Sequence, residues 1–261
     1  MLLLVDAGTT RVKWALAHEN AAPGEWFAQG AAAYADLDAA GAGWIEARVT
    51  RAIVSNVAGP EVRARLAALL GPIETEWFAS SASRAGLLNG YREPERLGCD
   101  RFAAAIGARA LLPGQALVVA TCGTATTIDA VSADGRFIGG MILPGLALMA
   151  GALARNTAQL PQAALGSTAG SAPPPLFADN TNDAIVSGCL SAQAGAIERA
   201  VASHGMTQGM AACIVSGGAA PFIAPALKLA HRMVDNIVLV GLHAVLLAGT
   251  TDSGSVGLSG R

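Results

Sequence analysis

The 261-residue sequence predicts an α/β protein made of two duplicated halves, because two motifs repeat and strand-like and helix-like segments alternate. The first motif is a Gly-Thr loop after an apolar strand, found as Asp6-Ala7-Gly8-Thr9-Thr10 and as Thr121-Cys122-Gly123-Thr124. The second is a buried strand that turns into a helix, at residues 53–60 and 214–221. Both halves carry the motifs in the same order, which indicates an ancient duplication.

The first half is predicted to contain three strands and two helices. Apolar runs give the strands, and a first-turn proline at Pro60 and an Ala-rich segment give the helices. The predicted strands are 2–5, 12–17 and 52–57, and the predicted helices are 60–70 and 100–111. Residues 91–98 read as a polar loop. Pro113 and Gly114 end this half, so the N-terminal lobe is predicted to span residues 1–114.

The second half is predicted to form a C-terminal lobe over residues 115–250, followed by a flexible tail at 251–261. The predicted strands are 116–120, 126–131, 137–141 and 214–216, and the predicted helices are 145–154, 182–204, 221–230 and 237–248. Thr181 is expected to cap the long helix and Gly205 to end it. Residues 161–180 form a long loop, a kind that is often functional.

Composition narrows the classes of partner. The chain is 52% hydrophobic and 14% charged with a net charge of −2, which favours neither nucleic acid nor an acidic membrane as partner. Four scattered cysteines without a C-x-x-C pair suggest no zinc or redox site and suit a cytoplasmic protein. We expect no signal peptide and no membrane span, since no apolar run approaches about 20 residues.

The two Gly-Thr loops are predicted to bind the phosphates of a nucleotide. Glycine lets backbone N–H groups approach an anion, and the threonine hydroxyl adds a donor. Asp6, with Lys13 downstream, can hold a hydrated Mg²⁺ beside the phosphates. Each loop alone reads equally well as an ordinary hairpin turn. Their repetition favours the phosphate site, shared between the two halves.

Two further elements have a functional and a structural interpretation. Asp100 and Arg101 open a helix, where Asp100 can serve as an N-terminal acid or as a base for a substrate hydroxyl, with Arg101 on a substrate carboxylate. Gly217 and Gly218 form either a plain strand-to-helix turn or a flat approach for a nucleotide base. No Walker A or Rossmann glycine pattern is present, so another loop design must hold the nucleotide.

The ordered motifs of the whole chain resemble type III pantothenate kinase. They are Asp6-x-Gly8-Thr9-Thr10-x-x-Lys13, Tyr91-x-x-Pro94-x-x-Leu97-Gly98-x-Asp100-Arg101, Gly123-Thr124-Ala125-x-Thr127-x-Asp129, Gly139-Gly140-x-Ile142-x-Pro144-Gly145, Asn180-Thr181-x-x-Ala184-Ile185-x-Ser187-Gly188 and Ser216-Gly217-Gly218-Ala219. The resemblance implies the acetate/sugar kinase–Hsp70–actin fold, with two ribonuclease H-like lobes and ATP in a cleft. It also implies a homodimer that phosphorylates pantothenate in the first step of coenzyme A synthesis.

The resemblance assigns roles residue by residue. The implied nucleotide-binding residues are Asp6, Gly8, Thr9, Thr10, Lys13, Gly123, Thr124, Ala125, Gly217 and Gly218. The implied pantothenate-binding residues are Tyr91, Gly98, Cys99, Asp100, Arg101 and Thr181. Asp100 would be the general base, and Asp6 would hold Mg²⁺.

Two positions depart from the family pattern. Thr9 stands where the family usually has Asn, and a threonine can still donate a hydrogen bond. Thr121 stands where the family usually has an Asp that helps to bind a monovalent cation. A neutral hydroxyl is a weaker cation ligand, so we expect either weak dependence on K⁺ or NH₄⁺ or none.

Two alternative functions remain open from the sequence. A regulatory or binding homologue without turnover is compatible with Thr121. A kinase for a sugar or a short acid is the other alternative, which the Tyr91 to Arg101 element disfavours. An assay of ADP release with pantothenate, sugars and acetate separates the three.

Overall fold

A computed structural model describes residues 1–156, 160 and 173–252, with the backbone alone for 250–252. They form two compact units. Unit 1 comprises Met1–Pro113, Gly135–Phe137 and the chain from Asn236 onward, and unit 2 comprises Gly114–Asp134 and Ile138–Asp235.

Strands and helices alternate along the described chain, as an α/β protein requires. The strands are β1 (Leu2–Ala7), β2 (Arg11–Ala17), β3 (Ala28–Ala33), β4 (Arg51–Asn56), β5 (Glu74–Phe78), β6 (Ser83–Arg84), β7 (Leu87–Asn89), β8 (Ala116–Cys122), β9 (Ala125–Val131), β10 (Arg136–Pro144), β11 (Ala211–Ser216) and β12 (Arg232–Met233). The α-helices are α1 (Leu37–Glu46), α2 (Pro60–Leu70), α3 (Cys99–Leu111), α4 (Leu146–Asn156), α5 (Thr181–Gln208), α6 (Ala220–Ile223) and α7 (Ile237–Asp252). Short 3₁₀ turns are Tyr34–Asp36, Pro94–Arg96 and Ala224–Ala226.

Unit 1 is built on a sheet with strand order β3-β2-β1-β4-β5. The hairpin β1–β2 is antiparallel, and β4 runs parallel to β1. All six residues of β1 are buried, so its side chains pack on both faces of the sheet. One face contacts α1 and α2 through a core that includes Leu3, Val5, Trp44 and Leu66.

Helices α3 and α7 of unit 1 pack together closely because glycines lie at their contact. A Cβ atom at Gly241 would lie 1.7 Å from the carbonyl oxygen of Ala103, and one at Gly107 would lie 2.6 Å from that of Ile237. Such distances exclude any side chain at either position. The contact supports α3, whose first turn carries Asp100 and Arg101.

Unit 2 repeats this plan with the strand order β12-β11-β8-β9-β10. Its central hairpin β8–β9 is antiparallel, and β11 runs parallel to β8. Helix α5 covers the sheet through Ile185, Leu190 and Ile197, which pack with Val118 and Val215. The first residues of β10, Arg136 and Phe137, belong to unit 1, where they pair with β7.

Several predicted boundaries are wrong at the helix ends. Asn180 rather than Thr181 caps α5, since its Oδ1 accepts the Asp183 N–H at 3.0 Å. The helix passes through Gly205 and ends at Gln208; the next residue, Gly209, has a positive φ of 80° that suits glycine. Predicted helix 221–230 is shorter, because Pro225 has no N–H for a helical bond and the chain tightens into a 3₁₀ turn.

The last helix also differs from the expected lobe division. Helix α7 lies in unit 1, whereas the sequence division assigned residues 115–250 to the second lobe. That the two repeated halves divide after residue 114 therefore stays a prediction. Helix α7 extends to Asp252, and the rest of the predicted tail, like residues 161–172 of the predicted loop, lies outside the described residues. Among the described helices, none is long and apolar enough to cross a bilayer.

Candidate active site

The first Gly-Thr loop joins β1 to β2 and contains Gly8, Thr9 and Thr10. The Gly8 N–H donates to the carbonyl of Arg11 at 3.2 Å, which closes the turn. Both threonines are exposed. Tyr34, which no sequence motif indicated, donates its hydroxyl to the carbonyl oxygen of Gly8. The Tyr34 side chain thus holds the loop from outside the hairpin.

Asp6 lies at the end of β1, where it faces Lys13 on β2 and Ser55 on β4 in the strand register. Its residue is 8% exposed, and its Oδ1 atom is buried without a hydrogen-bond partner. Burial raises the pKa of Asp6 to about 7; the charge of Lys13 opposes this rise and the charge of Asp100 adds to it. A buried carboxylate oxygen without a partner is a suitable ligand for a cation.

Asp100 and Arg101 lie in the first turn of α3, after the N-cap residue Gly98. The Asp100 carboxylate accepts the Arg101 N–H at 2.9 Å, so the structural interpretation of a helix-start acid holds in part. Burial also raises the pKa of Asp100 above its ordinary value, while the Arg101 N–H and charge oppose the rise. A Cβ at Gly98 would lie 2.7 Å from Asp100 Oδ1, so glycine leaves this carboxylate in place.

The Cys99 thiol lies against the end of β4. Its Sγ is 3.4 Å from Ser55 Oγ and donates to the carbonyl of Asn56 at 3.7 Å. Burial raises the pKa of this thiol, which keeps it protonated near neutral pH. The contact ties the start of α3 to the strand beside Asp6.

Arg101 is buried, with 6% exposure, and its guanidinium lies against Tyr91. Its Nη1 donates to the Tyr91 hydroxyl at 2.8 Å. Ten of the predicted nucleotide-binding and substrate-binding residues lie within unit 1. These are Asp6, Gly8, Thr9, Thr10, Lys13, Tyr91, Gly98, Cys99, Asp100 and Arg101.

Backbone hydrogen bonds hold the second Gly-Thr loop, in unit 2. The Gly123 N–H donates to Ala125 O at 3.0 Å, and the Gly145 N–H donates to Thr124 O at 2.9 Å. A Cβ at Gly145 would lie 2.1 Å from Gly123 O, so only glycine fits there. Gly123, Thr124 and Ala125 are all exposed.

The Gly217-Gly218 turn lies beside this second loop. The Ala219 N–H donates to the carbonyl of Cys122 at 2.9 Å, and a Cβ at Gly217 would lie 2.3 Å from the same oxygen. Gly217 also has a positive φ of 98°. The structure therefore brings the two predicted nucleotide-binding segments of unit 2, residues 123–125 and 217–218, next to each other through backbone contacts with Cys122.

Thr121 occupies the position on β8 that Asp6 occupies on β1. Its register partners are Thr127 on β9 and Ser216 on β11. The Thr121 Oγ1 is buried without a hydrogen-bond partner. Thr181 is exposed at the start of α5, where it borders an apolar cavity of about 420 Å³ with Met149 and Ile185. It belongs to unit 2, unlike the other predicted substrate residues.

Solved structures agree with this architecture. A protein from Campylobacter jejuni described as a conserved Baf family transcriptional activator is similar with a TM-score of 0.60 at 17% identity, over 96% of this chain and 99% of that one. The activator of 2-hydroxyisocaproyl-CoA dehydratase from Clostridium difficile, with bound ADPNP, is similar with a TM-score of 0.55 at 12% identity, over 99% of both chains. The class of protein is thus an α/β protein with the actin-like ATPase fold.

Sequence comparison identifies the family within that class. Residues 2–203 match the pattern of type III pantothenate kinase. The type III pantothenate kinase of Herminiimonas arsenicoxydans is 57% identical over 256 residues, covering 95% of this chain and 98% of that protein. That of Janthinobacterium sp. (strain Marseille) is also 57% identical, over 258 residues and the same shares. The chain belongs to the type III pantothenate kinase family.

Proposed function

We propose that the protein transfers the γ-phosphoryl group of ATP to the primary hydroxyl of pantothenate, the first step of coenzyme A biosynthesis. The observation that carries the proposal is a pair of carboxylates in unit 1, the buried Asp6 and the half-buried Asp100, beside the buried Arg101. The charge of Asp100 raises the pKa of Asp6. Cys99, next to Asp100, also contacts Ser55, the register neighbour of Asp6. Their environments suit two roles, one toward a cation and one toward a proton.

Asp100 serves as the general base in this proposal. It accepts the proton of the substrate hydroxyl as the oxygen attacks phosphorus. Its raised pKa favours this role, because a base works best when its pKa approaches the working pH. Phosphoryl transfer otherwise requires positioning and charge stabilisation more than covalent chemistry.

The site fits a divalent cation, because Asp6 Oδ1 is a buried carboxylate oxygen without a hydrogen-bond partner. Asp6 would hold Mg²⁺, which when bound neutralises charge on the phosphates. The backbone N–H groups of each Gly-Thr loop would meet phosphate oxygens, and Lys13 would contribute a positive charge in unit 1. Gly217 and Gly218 would lie along the adenosine.

Arg101 would bind the pantothenate carboxylate. A guanidinium donates two parallel hydrogen bonds to a carboxylate, which gives orientation as well as affinity. Tyr91 fixes the guanidinium through its hydroxyl, while Gly98, Cys99 and Thr181 are assigned to the same substrate.

Thr121 and its register neighbours Thr127 and Ser216 would offer only neutral ligands to a monovalent cation near the second loop. The partnerless Thr121 Oγ1 and the register neighbours Thr127 and Ser216 offer hydroxyl oxygens. We therefore propose that K⁺ or NH₄⁺ binds weakly or is dispensable.

We also propose a cytoplasmic homodimer. Its support is the exposed apolar pair Leu176 and Phe177, at 64% and 91% exposure, in the segment before α5. Contiguous exposed apolar surface marks interaction sites, unlike scattered single side chains, and these two residues are adjacent in the chain. Light scattering after gel filtration measures the mass, and a monomer at micromolar concentration would refute the dimer.

The direct test of function is a coupled assay of ADP release with Mg-ATP and a panel of acceptors. Pantothenate should be phosphorylated, while hexoses and acetate should not exceed the background ATPase rate. Turnover with a hexose or acetate alone would replace the proposal with another kinase of this fold. ATP binding without turnover on any acceptor would favour a regulatory homologue.

A further inference from the structure

Phe137 is a fully buried residue of unit 1 that lies outside the segments assigned to substrate. It pairs with Asn89 of β7, and its carbonyl oxygen accepts the Gly90 N–H at 2.9 Å. A Cβ at Gly90 would lie 2.2 Å from that oxygen, so only glycine allows this approach. The backbone of Phe137 is thus fixed against the strand that leads into Tyr91.

The rings of Phe137 and Tyr91 both lie beside the Arg101 guanidinium. Arg101 Cζ lies 5.8 Å from the centroid of Phe137 and 5.6 Å from that of Tyr91. The two rings meet edge to face, with centroids 5.7 Å apart and an angle of 66° between their planes. A cation near aromatic rings is attracted by their quadrupoles, and more strongly where water is excluded.

We propose that Phe137 is a positioning residue for substrate, which together with Tyr91 holds Arg101 ready for the pantothenate carboxylate. The inference rests on the proposed function, since it takes Arg101 to be the carboxylate-binding group. A free arginine side chain has many rotamers, and their loss on binding lowers affinity. The hydrogen bond to Tyr91 fixes one edge of the guanidinium, and Phe137 restrains it from a second direction.

A role in core packing alone predicts a different outcome. Any apolar side chain of similar volume would then be sufficient at position 137, and a substitution that disturbs the packing would change the KM for all substrates equally. The proposal instead predicts that the effect requires an aromatic ring at position 137, a carboxylate on the substrate and the arginine at position 101.

The test compares Phe137→Met, which keeps volume without a ring, with Phe137→Tyr, which keeps the ring. Phe102→Met is the matched control, because Phe102 is also buried and follows Arg101 in α3, but stacks on Phe78 at a centroid distance of 6.1 Å. Steady-state kinetics are measured with pantothenate and with pantothenyl alcohol, which lacks the carboxylate.

Phe137→Met should raise the KM for pantothenate by roughly 3- to 30-fold, with kcat changed by less than about twofold. Phe137→Met should not change the KM for the alcohol. Phe137→Tyr, which keeps the ring, should have a KM for pantothenate close to that of the wild type. In an Arg101→Leu background, Phe137→Met should have no further effect. Phe102→Met should leave the preference for pantothenate over the alcohol unchanged.

Equal loss with both substrates, or an effect that adds to that of Arg101→Leu, would overturn the proposal. A wild-type protein that fails to phosphorylate pantothenate would instead refute the proposed function. The position of the guanidinium is then read by NMR from the Arg101 Nε–Hε signal, assigned with Arg101→Lys. Loss of its ring-current shift in Phe137→Met but not in Phe102→Met supports the contact, and an unchanged signal excludes it.

Discussion

The first and second Gly-Thr loops follow the same backbone plan but carry different side chains. In unit 1, the central strand β1 carries Asp6 near its end, between Lys13 and Ser55 in the register. In unit 2, the corresponding row is Thr121 between Thr127 and Ser216. The hydroxyl on the parallel strand is kept, whereas the acid and the lysine are both replaced by threonine.

The loops also differ in what holds them. The carbonyl of Gly8 accepts a hydrogen bond from the Tyr34 side chain, and the carbonyl of Thr124 accepts one from the Gly145 backbone. The repeat has therefore preserved the geometry of the loops, while the chemistry of their side chains has diverged. Unit 1 has the acidic and basic side chains, and unit 2 presents mostly backbone and hydroxyl groups.

The largest effect is expected for Asp100→Asn, which removes the proposed base of unit 1. We expect kcat to fall by about 10²–10⁴-fold with ATP binding retained, because asparagine cannot accept the proton. Asp38→Asn is the control, since Asp38 also lies in the first turn of a helix but is exposed in an ion pair with Arg65. Turnover of the two variants is compared at saturating pantothenate. Equal, small losses would leave Asp100 with only its helix-start role.

Asp6→Asn tests whether the acid of unit 1 holds the metal. The variant should lose on the order of 10²–10³-fold in turnover, because the amide is a poorer ligand for a hard divalent cation. The reading is a Mg²⁺ titration at fixed ATP. Normal turnover at ordinary Mg²⁺ would reduce the first loop to a plain hairpin turn.

Asp6→Asn should lower turnover but raise the stability of the folded protein. The folded pKa of Asp6 is about 7 and the ordinary value is 3.8, so the folded state binds the proton more tightly between these pH values. Stability is therefore lost as pH rises through this window. Without divalent metal, Asp6→Asn should be more stable than wild type at pH 8, by up to about 4 kcal/mol, with the gain vanishing toward pH 4. Urea unfolding at several pH values measures it, and parallel curves for both proteins would contradict the assignment.

Thr121→Asp converts the row of unit 2 toward that of unit 1. We expect wild-type activity to depend weakly on K⁺ or not at all, and the variant to gain tight activation, because a carboxylate supplies charge to the cation. Thr121→Asn is the matched control, with the same shape and no charge. The measurement is a potassium titration of the activity of each protein at fixed Mg-ATP and pantothenate. Tight activation of the unmutated protein would show that the cation ligand lies elsewhere.

Tyr34→Phe should have the smallest effect. It removes the hydrogen bond that holds the first loop and should raise the KM for ATP by about 2- to 10-fold, since such a bond contributes about 0.5–1.5 kcal/mol. Tyr91→Phe is the control, because Tyr91 is the other tyrosine of the chain and contacts Arg101. It should change the KM for pantothenate instead. If Tyr34→Phe left both constants unchanged, the first loop would need no support from this side chain.

Local patterns were sufficient for much of the fold. Apolar runs bounded by turn residues located β1, β4, β8 and β11, and a proline in the first turn located the start of α2. Local rules failed where competing signals were equally good. Asn180 and Thr181 are both acceptable caps, and Gly205 can end a helix or lie within one. Segments with weak patterns, such as β3 and α1, were missed altogether.

The loops and their chemical types could be predicted from the amino-acid sequence, because glycine turns and strand-end acids are local properties. Which of these groups lie near one another depends on the tertiary structure. The strand register placed Ser55 beside Asp6, and the pairing of β10 with β7 brought Phe137 to the guanidinium of Arg101. Contacts between residues far apart in the chain depend on sheet order and helix packing, which no local pattern encodes.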